Sequence, residues 1–252
     1  MPVMDRVLVV RPDFEVATYL GSLALQHIVD YIRLRGLTLE DLRGDNAVRD
    51  KVLESLSRLD PIWCILLGHG NATTYTGQNF DRIFWECNSS ELRDRVVYAL
   101  SCITAARLGP DAVDKGCRTY IGYSEEFIWT QEAPVDPLAD RYGRSFFEPV
   151  LELLYRLADG ATTGEAFKAS IDKWNYWIDY WSRSTDPAAP AILMYLIHDR
   201  DCQKLIGDDF ATVTTPIPIP WWPMTMIIGF APIGIVLGFI GGSEIAKAVA
   251  KK

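Results

Sequence analysis

Four short apolar runs, at residues 6–10, 62–67, 95–100 and 118–122, constrain this chain more than any other feature of its sequence. They are brief, rich in β-branched and aromatic residues, and lack the alternation of a strand with one wet face. Each therefore reads as a buried strand. Between them lie stretches with helical spacing. Residues 16–35 place Leu20, Leu23, Ala24, His27, Ile28, Tyr31 and Ile32 on one face and stop at Gly36, and residues 46–59 do the same with Val48, Val52, Leu53 and Leu56 before Pro61. A third helix is expected over 103–115, punctuated by Gly109 and Pro110. This order of elements belongs to an α/β domain with a largely parallel sheet, in which sites gather at the carboxyl ends of strands.

Beyond Tyr123 the pattern turns helical. One or two turns are expected at 124–130, a proline-containing loop at 131–137, and helices over 137–159, 163–184 and 190–206. Trp174, Trp177 and Trp181 form an i, i+3, i+7 stripe on the second of these, which reads as core rather than as a cofactor box.

The C-terminal part is of another kind. Residues 210–243 are 34 consecutive positions without a charge, and within them residues 221–240 open on Trp221 and Trp222 and close on Ile240 in a block rich in Ile, Met, Phe and Leu. At 1.5 Å per residue such a block spans about 30 Å, the thickness of a bilayer's hydrocarbon core. The tryptophans suit one interface, and Lys247, Lys251 and Lys252 suit the other. The organisation expected is a domain at 1–213, a proline-rich linker at 214–220, a transmembrane helix at 221–242 and a short basic tail at 243–252. Gly234, Gly238 and Gly242 form small-xxx-small steps on one face, a route to homo-oligomers in the bilayer.

Composition then excludes several function classes. The chain has 33 acidic and 25 basic residues, a net charge of −8 that resolves into +2 over residues 210–252 and −10 over the rest. Such a domain is not built for phosphate contacts, so no nucleic-acid partner is expected. The N-terminus lacks the apolar core of a secretory signal. The lysines after the span would place the domain outside by the positive-inside rule, whereas a large domain ahead of its only span stays cytoplasmic, and a cytoplasmic domain is expected. The five cysteines (Cys64, Cys87, Cys102, Cys117, Cys202) lie no closer than 15 residues apart and form no CxxC pair. No HExxH, Walker A, GxGxxG or GxSxG motif occurs. Neither a metal site nor a cofactor is expected.

Two strand ends carry chemistry. Gly68-His69-Gly70 follows the second run, and Ser101-Cys102 follows the third. A thiol and an imidazole at neighbouring strand ends are what acyl transfer from a peptide requires: Cys102 attacks the carbonyl and His69 shuttles the proton. The N–H groups of Gly70 and Cys102 would hold the oxyanion, and a helix starting at residue 103 would favour the thiolate. Cys64 and Cys117, within or beside apolar runs, read as core, and Cys87 and Cys202 have no better case. His27 and His198 read as structural. His69 differs, because a Gly-His-Gly turn offers an imidazole little to pack against.

These segments also carry a resemblance. Ile65-Leu66-Leu67-Gly68-His69-Gly70, then Ala99-Leu100-Ser101-Cys102, then Tyr120-Ile121-Gly122-Tyr123, and finally Leu205-Ile206-Gly207-Asp208-Asp209 are similar to the caspase/gingipain/separase superfamily of clan CD cysteine peptidases. The resemblance runs from about residue 6 to residue 213. It implies a caspase-hemoglobinase-like α/β/α sandwich and a cysteine endopeptidase acting on protein or peptide substrates through a Cys102-His69 dyad. The 33-residue separation of the two is shorter than the roughly 50 of caspases, and Ser101-Cys102-Ile103-Thr104 lacks their Gln-Ala-Cys-x-Gly signature, so cleavage after aspartate is not implied. In that superfamily the pocket for the residue before the scissile bond draws on the first strand's end and the segment after the fourth. Here those places hold Asp13 and Glu15, and Glu125 and Glu126, acids that would favour Arg or Lys in the substrate. Arg11 at the same strand end would instead select an acidic residue. The whole reads as a membrane-tethered cysteine endopeptidase, with a catalytically silent membrane scaffold as the alternative.

Overall fold

The computed structural model describes residues 3–214. The expected membrane span at 221–242, its glycine face and the basic tail lie outside the described residues, as does nearly all of the linker. Among the described residues no helix is long and apolar enough to cross a membrane.

The strands are β1 (Val3–Arg11), β2 (Thr38–Arg43), β3 (Pro61–Leu67), β4 (Gly70–Asn71), β5 (Thr74–Thr76), β6 (Arg82–Trp85), β7 (Val96–Leu100), β8 (Thr119–Tyr123) and β9 (Gln203–Gly207). The helices are α1 (Val16–Leu34), α2 (Arg49–Leu59), α3 (Leu108–Asp114), α4 (Gly143–Ala158), α5 (Thr163–Ser182) and α6 (Ala189–Cys202). Six strands form the main sheet in the order β2-β1-β3-β7-β8-β9, all parallel except β9, which runs antiparallel to β8. Strands β4, β5 and β6 make a small antiparallel sheet beside it.

The four apolar runs are β1, β3, β7 and β8, and every residue of β3, β7 and β8 is buried. Alternate residues feed two cores. Val7, Val9, Ile65, Tyr98 and Ile121 point to a layer built by α1, α4, α5 and α6, while Leu8, Val10, Cys64, Val97 and Tyr120 point to α2, α3 and the small sheet. Cover on both faces is why these strands read as unbroken apolar runs. The arrangement is the expected α/β/α sandwich. The tryptophan stripe is core: Trp174, Trp177 and Trp181 are buried, and their indole N–H groups donate to Gln203, Glu148 and Ser145.

Several local expectations are corrected. Residues 104–106 form only a single 3-10 turn, and α-helix begins at Leu108, which places Pro110, without an N–H to give, in the first turn of α3. Residues 124–130 hold no helix, and α4 starts at Gly143 rather than at Pro137. The Asp140 carboxylate accepts N–H groups from Glu132, Ala133, Tyr142 and Gly143, which holds the segment ahead of α4 in turns. The helix expected to reach residue 206 stops at Cys202 and continues as the edge strand β9. Edge strand β2, with its Glu40-Asp41 pair, carries no apolar run because one side faces solvent.

Candidate active site

Three adjacent strands deliver the site. β1, β3 and β7 lie side by side and end at one edge of the sheet, and the strand order reverses between β1 and β3. That reversal opens a crevice at the carboxyl edge. Glu15 follows β1, His69 follows β3 and Cys102 follows β7. Glycine lets the last two loops meet: a Cβ on Gly70 would strike the Ser101 hydroxyl, the Thr104 methyl and the Cys102 carbonyl oxygen, and one on Gly68 would strike the Thr76 carbonyl. His69 and Cys102 consequently line the same cleft.

The imidazole is held from two sides. Its Nε2 lies 3.2 Å from Glu15 Oε1, and its face stacks on Phe80 with ring centroids 5.1 Å apart. Phe14 approaches the His69 ring edge-on at 6.1 Å and Phe80 at 4.9 Å. Phe80 reaches this position through a backbone turn with φ of 51° at Asn79 and 61° at Phe80, a left-handed conformation uncommon for a bulky residue. Glu15 is at the same time the N-cap of α1, accepting the N–H groups of Ala17 at 3.0 Å and Thr18 at 2.7 Å. Burial pushes the Glu15 carboxyl up, but these N–H groups, the Thr18 hydroxyl and His69 outweigh it and hold the acid below its ordinary range. An ionised Glu15 accepts from Nε2–H, which leaves the Nδ1 lone pair as the basic position of His69.

Cys102 sits differently from the sequence expectation. No α-helix starts behind it: Ile103 has a positive φ of 65°, residues 104–106 make a single 3-10 turn, and α3 begins six residues on. Its thiol is pushed above the ordinary value, first by burial and then by the Glu126 and Asp199 carboxylates, although the Phe127 N–H works the other way. The resting site favours a protonated thiol.

The cleft beside the sulfur measures about 80 Å³ and is lined by Leu67, Leu100, Phe127, Trp129 and Phe147, with Gly21 and Thr18 from α1. A shallower groove continues past Gly70, Ile103, Glu126 and Ile128. Of the four acids expected to select a basic side chain, only Glu126 borders this surface. Asp13 pairs with Arg43 at 3.2 Å, Glu15 is committed to α1 and His69, and the Glu125 carboxylate lies 3.8 Å from His198 Nδ1. Arg11 selects nothing either: it is 3% exposed and its guanidinium is spent on Asp41, Gln26 and Ser22. Cys64, Cys117 and Cys202 are buried, Cys87 is exposed away from the cleft lining, and His27 pairs with Asp136.

The wall formed by residues 124–129 is tied to the end of α6. Ser124 N–H donates to the Cys202 carbonyl at 2.8 Å, Ile128 N–H to Asp199 Oδ1 at 3.0 Å, and His198 Nε2 lies 2.9 Å from the Glu126 carbonyl oxygen. Phe14, Phe80, Phe127, Trp129 and Phe147 were not singled out in the sequence as site residues. An aromatic following Gly77 and Asn79 was the one local signal, and the other four look like ordinary core aromatics.

No protein-family model and no curated protein matches the sequence. Solved structures match the fold. The Arg-specific cysteine proteinase gingipain R superposes with a TM-score of 0.57 and 10% identity, over 85% of this chain and 49% of that one. The same proteinase in the complex of Porphyromonas gingivalis RgpB pro- and mature domains gives 0.53 and 10%, over 85% and 50%. The chain thus spans about half the length of the proteins it superposes on. At this identity the likeness establishes architecture alone, and the domain has a caspase/gingipain-like fold.

Proposed function

We propose that this protein is a cysteine endopeptidase in which Cys102 is the nucleophile and His69 the proton carrier. The observation that carries the reading is that Cys102 and His69, from two adjacent strand ends, line one cleft, with Glu15 from the next strand end behind the imidazole. The Cys102 sulfur attacks the scissile carbonyl, forming a thioester, and its proton passes to Nδ1 of His69 and on to the departing amine. Glu15 stabilises the imidazolium through Nε2, and the N–H groups of Gly70 and Cys102 receive the oxyanion. Water then hydrolyses the thioester and restores the thiol.

The apolar lining beside the sulfur supports an aliphatic or aromatic side chain before the scissile bond rather than the Arg or Lys suggested by the sequence. Glu126 would meet the substrate further along the groove. Tethering to a bilayer through the uncharged block at 221–240, self-association through Gly234, Gly238 and Gly242, and a cytoplasmic domain complete the proposal.

The raised Cys102 thiol favours one other reading, a catalytically silent scaffold of the same fold. Cleavage of a mixed-sequence peptide library by the full-length protein separates the two. Hydrolysis lost in Cys102→Ala, with apolar residues enriched before the cleaved bond, is the expected result. Hydrolysis equal in wild type and Cys102→Ala, or absent from both, would reject the peptidase.

A further inference from the structure

A second thiol and imidazole lie outside the cleft, on the last turns of α6, with a buried acid between them. A ring nitrogen of His198, a carboxylate oxygen of Asp199 and the Cys202 sulfur all fall within 4.8 Å of one another. Three features point beyond a chance cluster. First, His198 Nε2 faces the Glu126 carbonyl at 2.9 Å, which fixes the proton on Nε2 and leaves a lone pair on Nδ1. Second, the other ring nitrogen, Nδ1, lies 3.8 Å from Glu125 Oε2, so a carboxylate oxygen stands beside the nitrogen that the carbonyl leaves over. Third, Asp199 is wholly buried, its Oδ1 accepts the Ile128 N–H, and its Oδ2 has no partner. A buried carboxylate oxygen left unmatched is costly.

We propose that His198, Asp199 and Cys202, with Glu125 as the fourth ligand, form a structural site for a thiophilic divalent cation, zinc being the one that the donor set fits. A thiolate, an imidazole and carboxylates suit zinc over calcium or magnesium, which take oxygen alone. Ligand atoms around tetrahedral zinc lie about 3.3–3.6 Å apart, so the three clustered atoms would draw in from their 4.8 Å span and the exposed Glu125 carboxylate would swing in from its 3.8 Å contact with Nδ1. A backbone carbonyl on the far nitrogen of the histidine is the usual support for such a ligand. The ion would fasten the cleft wall to α6, since Glu125 and Glu126 belong to the wall and the Glu125 carbonyl also accepts the Ile103 N–H at 2.9 Å, next to the nucleophile. The spacing His198-Asp199-x-x-Cys202 is the only trace of this in the sequence.

Cobalt(II), a spectroscopic substitute for zinc, tests the site in full-length Cys102→Ala protein, where the cleft thiol can contribute no charge-transfer band. One equivalent with thiolate-to-cobalt charge-transfer absorption, displaced by zinc, is expected. Cys202→Ser should abolish that absorption, and Asp199→Asn and His198→Gln should each weaken cobalt binding at least tenfold. Asp199→Asn keeps the volume and the Ile128 hydrogen bond, and His198 lies at the surface, so these two decide the matter even if Cys202→Ser does not fold. No charge-transfer band, or a band that survives Cys202→Ser, or affinity unchanged in both other variants, would overturn the proposal. None of these readouts uses peptide hydrolysis, so the result stands apart from the fate of the peptidase reading.

Discussion

The domain pairs a cysteine with a histidine twice, and the two pairs are built in opposite ways. Cys102 and His69 come from separate strands, meet at the edge of the sheet across Gly70, and open to a cleft with Glu15 behind the imidazole. Cys202 and His198 share one helix four residues apart, with Asp199 buried beside them and the cleft wall on top. In both, a carboxylate or carbonyl fixes the ring's proton. The thiols differ in access: Cys102 is half-buried at the cleft, whereas Cys202 is 4% exposed and its thiol is pushed up to about 12 by burial and by Asp199. The proposed roles match this difference, since a nucleophile has to be reached by substrate and a ligand only by an ion.

The largest effect that would break this contrast is catalytic. Cys102→Ala should lower kcat/KM on cleaved peptides by about 10³-fold or more, and Cys202→Ser, compared at equal folded fraction by circular dichroism, should stay within about tenfold of wild type. Equal losses would mean that the cleft is not where the chemistry happens. His69→Ala comes next, with a loss of about 10²–10⁴-fold, set against little change in kcat for His27→Ala, whose ring pairs only with Asp136 at the surface.

Chemical modification sharpens the difference between the thiols. Because the Cys102 thiol lies above its ordinary value, its alkylation rate should climb with pH from neutrality into the alkaline range, as thiolate accumulates. Cys202 should remain unmodified over the same range, which peptide mass mapping would show. Modification of Cys202 at a comparable rate would erase the distinction in access.

Glu15 supplies a smaller, two-part effect. Glu15→Gln keeps an oxygen for the α1 cap but loses the charge behind His69, so kcat should fall about tenfold with Tm nearly unchanged. Glu15→Ala also loses the cap, worth about 1 kcal/mol, and should lower Tm as well. Smallest of all, Glu126→Gln removes an exposed negative charge near the sulfur. It should move the Cys102 profile toward lower pH and speed alkylation at neutrality by about two- to threefold.

How much of this was legible along the chain depends on cover. Strands β1, β3, β7 and β8 stood out because helices press on both of their faces, so burial wrote an apolar residue at nearly every position. Strand β2 was silent, since Glu40 and Asp41 face Arg58 and Arg11 across an edge. Strand β9 was hidden as well: Gln203 to Gly207 takes its extended form by pairing with β8, a neighbour some 80 residues earlier. Residues 124–130 and 137–142 were read as helical because the tertiary partners that hold them in a non-helical path, Asp199 on the Ile128 N–H and Asp140 on the Tyr142 N–H, are not visible in their local pattern.

The sequence by itself determined the parallel sheet and put a histidine and a cysteine at two of its strand ends, because local apolar pattern and glycine turns are properties of a few adjacent residues. The tertiary structure alone decided which acids matter. Glu15 reaches His69 across 54 positions, Asp13 turns instead to Arg43, Arg11 is consumed by Asp41, and Asp199, unremarkable in sequence, is sealed beneath the cleft wall. A charged side chain takes its role from the partner and the solvent left to it, and both are set only when distant segments close over it.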